Sequence, residues 1–278
     1  MLEAVIASLG YAGGVIVDKI VLSKFRIPVG RFVPLIFIWL AVITAIFLPL
    51  WGKINLANFL ETRNILLFLG MILVAVIWNI YYAKGLQLED VHEFELIMML
   101  APLFTIIFAE IFLPNERSLP TLIAGLIASF ALIITRFRRH HLKISKTTWL
   151  TILAMILMSF ESILLKELLN FMSPVMLYFI RTFTIAVVFL IMYRPKLFTM
   201  SKQAFALIII SAICGVIQMV LKFYGFATLG VIETTLILVL GPFIVYFFST
   251  FYFKEKLFKR DIFAAAVVVA CIIYVTFR

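Results

Sequence analysis

From Gly230 to Arg260 the chain reads GVIETTLILVLGPFIVYFFSTFYFKEKLFKR. A glycine opens it, Glu233 stands at the edge of an apolar run, Gly241-Pro242 interrupts that run, and Lys254-Glu255-Lys256 closes it. A fainter copy occupies Glu93–Leu119, EFELIMMLAPLFTIIFAEIFLPNERSL. There Pro102 answers Pro242, Glu93 answers Glu233 at the same distance from its proline, and Glu116 answers Glu255 after one inserted residue. One kinked apolar hairpin used twice points to a chain built from two copies of one unit.

Hydrophobic residues make up 65% of the 278, with a mean hydropathy of +1.18. Soluble domains sit near 45–50% apolar, so a water-soluble protein is excluded. Ten apolar segments can be drawn, roughly 2–22, 33–51, 64–86, 92–113, 118–135, 147–169, 174–193, 203–227, 231–253 and 260–277. Segments of this length without polar alternation are membrane helices, because a helix satisfies its own backbone in lipid. The first segment has an acid, Glu3, and no basic start or small-residue cleavage site, so it is expected to be a retained span. The fold expected is therefore an all-α polytopic membrane protein.

The longest polar link, RFRRHHLKISK at 136–146, falls at the midpoint and leaves five segments on each side. An odd number per half makes the second half enter the membrane in the opposite sense, an inverted repeat. The units are then 1–135 and 147–278, joined by the basic linker 136–146. VIVDKIVLS (15–23) and ILLKELLNF (163–171) both end a span with a lysine beside an acid, and Pro28 and Pro174 follow. Gly10 and Gly14, one turn apart, offer a small face for close helix packing.

The net charge of +10 sits in short links, which topology explains better than nucleic acid does. With alternating links, sixteen lysines and arginines fall on one face and four on the other, while Lys19, Lys166, Arg181 and Lys222 lie within spans. The bias puts the midpoint linker in the cytoplasm and both termini outside. Cys214 and Cys271 both lie in apolar runs, so neither a disulfide framework nor a metal cluster is indicated.

WNIYYAKGLQLEDVHEFELIMMLAPLF (Trp78–Phe104) with PNER (114–117), and GVIETTLILVLGPFIVYFFSTFYFKEKL (Gly230–Leu257), resemble the EamA-like family of the drug/metabolite transporter superfamily. The resemblance covers essentially the whole chain through a loose pattern, and indicates the family better than the substrate. It implies a secondary carrier in the plasma or inner membrane, moving small metabolites such as amino acids, or drugs, through a cavity between the halves. No cofactor is implied, and monomer and homodimer both stay open. The residue inserted before Glu116, the long KGLQLEDVHE link and the basic midpoint depart from the pattern. Related proteins are usually described with both termini inside, against the charge bias here.

Ionisable groups within spans mark a pathway or a partner pair. Ser211, Cys214, Gln218 and Lys222 recur every three or four residues and share a helix face. Lys222 either joins that polar stripe or snorkels to the interface. Trp78, Asn79 and Tyr82 are candidates on the third span, or members of an interfacial aromatic belt. Trp78 falls opposite Lys222 when Ala83 is aligned with Ala227. Glu161 and Arg181 either pair with each other or line the site, where Arg181 would fork a substrate carboxylate. Glu93 and Glu233, where the fourth and ninth spans begin, are either acids at a helix N-terminus or proton-coupling carboxylates. Glu116 and Glu255 read as structural. No HExxH, GxSxG or P-loop motif occurs, and His92, His140 and His141 lie in links. A carrier is thus favoured over a lipid-acting membrane enzyme, which needs clustered catalytic groups. A non-transporting subunit would not need the polar stripe.

Overall fold

In the computed structural model the described residues are 2–88, 94, 97–98, 100–137, 146–195, 200–241 and 244, with 263, 266–267, 269–271 and 273–274. Nine helices carry the argument. They are α1 Leu2–Lys19, α2 Val29–Trp51, α3 Thr62–Leu88, α4 Ala101–Phe112 and α5 Leu119–Phe137, then α6 Lys146–Leu168, α7 Pro174–Tyr193, α8 Lys202–Thr228 and α9 Val231–Leu238. A single turn, Leu56–Phe59, lies between α2 and α3. Among the described residues there is no strand, only one isolated bridge between Ile54 and Met172. Among the described residues six stretches are long and apolar enough to cross a membrane: Leu2–Lys24, α2, α3, Thr148–Leu168, α7 and α8. The tenth predicted segment, the end of the ninth, and Glu93, Pro242 and Glu255 lie mostly or wholly outside the described residues.

Local chemistry sets the helix ends. Ser173 accepts the Met176 N–H at 3.3 Å and Pro174 follows it, a cap with proline at the first helical position. Ser201 caps α8 in the same way through Ala204 N–H at 3.2 Å. α1 runs on as a π turn, Ile20–Lys24, before Pro28 starts α2.

Helices from the two halves interleave. α1 lies along α8, α3 along α6, and α2 along α7, while α4 packs on α6 and α9. The backbones of α1 and α8 approach closely. A Cβ on Gly10 would stand 2.9 Å from the Cys214 carbonyl oxygen and 3.0 Å from the Gln218 nitrogen, so only a hydrogen fits between the backbones. Phe37 of α2 meets Phe189 of α7 edge-on at 5.6 Å. Ile210, Ile213 and Ile217 project outward from α8, so the opposite face of that helix is free to carry polar groups.

The two halves are bonded together where α2, α4, α6 and α8 end. Asn55 N–H donates to the Phe171 carbonyl at 2.9 Å, and Ser173 N–H to the Lys53 carbonyl at 2.8 Å. Beside this seam Glu116, in the turn after α4, accepts the Val231 N–H at 2.6 Å and lies 3.1 Å from Lys166 Nζ. It satisfies a donor at the start of α9 that would otherwise stay unpaired in an apolar setting. Gly230 permits this contact twice over. Its φ of 91° suits glycine, and a Cβ there would stand 3.0 Å from the Glu116 carboxylate.

Candidate functional site

A cavity of about 210 Å³ lies among α1, α2, α3, α4, α6, α7, α8 and α9. Its wall is mostly apolar, with polar groups at a few points. Trp78, Asn79 and Tyr82 come from α3, Glu161 from α6, Arg181 from α7, and Gln218 and Lys222 from α8. Spacing of three and four residues on α3 and α8 turns each set to one side of its helix.

The centre of the polar wall is an ion pair. Arg181 Nε donates to Glu161 Oε1 at 2.7 Å and Nη2 to Oε2 at 3.1 Å, both side chains being 2% exposed. Trp78 Nε1–H donates to Glu161 Oε2 at 2.7 Å, and its ring centroid lies 5.9 Å from Arg181 Cζ. Of the two readings of Arg181, mutual pairing is the one observed. Nε and Nη2 of its guanidinium go to Glu161, and the side chain lines the cavity wall.

Lys222 is differently placed. Its Nζ donates to Ser162 Oγ at 3.4 Å and lies 5.1 Å from the Phe226 ring centroid. It faces the cavity. Asn79 turns its amide nitrogen to the Ala75 carbonyl at 2.8 Å, which leaves its oxygen available. Tyr82 packs edge-on against Trp78 and Phe94 at 5.9 and 5.0 Å.

Other residues fall elsewhere. Glu233 is in the first turn of α9, half-buried and off the cavity wall, and Glu93 lies outside the described residues. Cys214, grouped with the stripe by spacing, lies instead toward α1, where a Cβ on Gly13 would meet its sulfur at 3.2 Å. Five polar wall residues are not among the candidates read from sequence: Tyr11, Asp18, Thr105, Tyr178 and Thr235. Asp18 carries a usable signal, an acid inside an apolar span, although beside Lys19 it reads as the close of that span.

Residues 145–277 match the model of the EamA-like transporter family. No curated protein matches the chain. A solved structure described only as the crystal structure of a protein is similar over 96% of both chains, with a TM-score of 0.69 and 14% identity, a likeness of fold alone. Together with six helices able to cross a bilayer, the match describes a multi-pass membrane protein. The match over residues 145–277 is consistent with the drug/metabolite transporter superfamily.

Proposed function

We propose that the chain is a secondary transporter that moves small metabolites bearing an acidic group through this cavity by alternating access. Lys222 is the observation that carries the reading. It is a cation inside an apolar span, held by one long hydroxyl contact and an aromatic face, whereas Arg181 is charge-paired with Glu161. An ammonium so weakly engaged can take a carboxylate or similar anion. Gln218, one turn away, and the Asn79 oxygen supply neutral polar contacts. The volume lies below the range usual for drug-sized ligands, which favours small metabolites over drugs. The cargo is read as a small molecule, and the setting as the plasma or inner membrane.

Ten helices in two inverted sets of five, over 1–135 and 147–278, are supported by who touches whom. Advancing each helix by five places turns α1–α8 into α6–α3, α2–α8 into α7–α3, and α1–α9 into α6–α4, and all these pairs occur. Lys19 donates to the Leu86 carbonyl at 2.8 Å near the end of α3, and Lys166 to the Phe226 carbonyl at 2.6 Å near the end of α8. Leu86 and Phe226 are separated in sequence as Pro102 and Pro242 are. In that register Tyr82, not Trp78, stands opposite Lys222. Alternating access is supported by the seam at one end of the bundle, where Glu116, Lys53 and Asn55 of the first half bond the second. Such bonds close one end and must yield for it to open.

Replacing Gln218 and Lys222 together by Leu tests the reading. Uptake of a mixed set of radiolabelled small carboxylates into liposomes should fall to the level of empty vesicles, while the protein inserts normally. Transport undiminished in the double variant would sink the site. For orientation we follow the charges and set position 141, outside the described residues, in the cytoplasm. A cysteine there, in a background lacking Cys214 and Cys271, should resist an impermeant thiol reagent in intact cells. Labelling in intact cells would show the termini to be inside.

A further inference from the structure

The cavity has a second polar end that the proposed role of Lys222 leaves unused. Asp18 of α1 lies on the wall, and its carboxylate accepts a hydrogen bond from the Ser211 hydroxyl of α8. Among the described residues no cation pairs with it. Its neighbour Lys19 sends its ammonium to the Leu86 carbonyl. The other charged wall groups, Glu161 and Arg181, neutralise each other.

Distance separates this end from Lys222. Ser211 and Lys222 are eleven residues apart on one helix, about 16 Å of rise. The Phe226 contact, one turn further on, draws the lysine Nζ away from Asp18. A molecule with its ammonium and carboxylate on one carbon cannot touch both ends at once. The cavity therefore has two polar ends of opposite charge, Asp18 at one and Lys222 at the other.

We propose that Asp18 and Ser211 form a cation station, which takes one positive charge as a protonated amine or as a proton. This rests on the reading of the cavity as the translocation path. A lone carboxylate inside a span is costly, and a ligand's charge removes that cost. Ser211 occupies one acceptor site of the carboxylate and leaves others for a donor. One carboxylate and one hydroxyl are too few oxygens for calcium, which takes six to eight, so a single N–H⁺ or H⁺ fits better than a divalent metal. The ionisable groups near Asp18 are Lys19 and Tyr11 on α1, Cys214 on α8 and Tyr82 on α3, with Glu161, Arg181 and Lys222 toward the far end.

Titration calorimetry of the full chain in detergent, with butylammonium as probe, separates the cases. Asp18→Asn keeps an acceptor for Ser211 and removes the charge, and it should weaken butylammonium binding at least tenfold. Lys222→Gln should leave that affinity within threefold. If native protein does not bind butylammonium, infrared spectroscopy should show a protonated carboxyl band that titrates and is missing in Asp18→Asn, which assigns the station to the proton. The absence of both amine binding and such a band overturns the proposal, as does amine binding that survives in Asp18→Asn. Should Asp18→Asn fail to fold, Asp18→Glu must retain binding and Ser211→Ala must weaken it. None of these readouts requires transport, so a failed transport reading would be told apart from a failed cation station.

Discussion

Arg181→Met should destabilise the folded chain by about 3–5 kcal/mol, the usual effect of removing one partner from a buried ion pair. The mechanism is the Glu161 carboxylate left behind, almost fully enclosed and retaining only the Trp78 N–H. Removing both charges in Glu161→Met/Arg181→Met should recover most of the loss. A cost of about 1–3 kcal/mol then remains, because the Trp78 donor is buried without an acceptor. Unfolding in mixed micelles of rising SDS fraction measures both variants. A single variant as stable as the native protein would show that the pair is not closed in the membrane. The double variant also separates structure from transport: if Arg181 only neutralises Glu161, uptake should survive in it.

Gly10→Ala should separate α1 from α8. The added carbon would stand 2.9 to 3.2 Å from backbone atoms of Cys214 and Gln218, and backbone cannot rotate aside as a side chain can. Overpacking of this kind costs about 1–3 kcal/mol, occasionally more. Transport should fall with it, since Asp18 and Ser211 meet across the same interface. Two controls sharpen the expectation. At Gly14 the nearest atom is the Cys214 Cβ at an ordinary 3.8 Å, so alanine should be nearly neutral. At Gly70 nothing lies within 4 Å, and alanine should stabilise α3 by up to about 1 kcal/mol through helix propensity. Equal effects at Gly10 and Gly70 would rule out this packing argument.

What was legible from residues alone was local. The helical, membrane-crossing character follows from runs of apolar residues, because in lipid each segment must satisfy its own backbone. Ser173-Pro174 marks a helix start from its own chemistry. The polar side of α8 was readable from three- and four-residue spacing, and the close-packing role of Gly10 from its lack of a side chain. Partnerships were not legible. Glu161 and Arg181 lie on different helices, and only the rotation of α6 and α7 about their axes decided that they meet each other. Glu116 reads as a turn residue, yet its carboxylate caps a helix of the other half. Asp18 reads as the end of a span, while its partner Ser211 stands far along the chain. Insertion into a bilayer is settled segment by segment from hydropathy. Which buried charge faces which is settled only when helices from both halves pack, so it belonged to the tertiary structure alone.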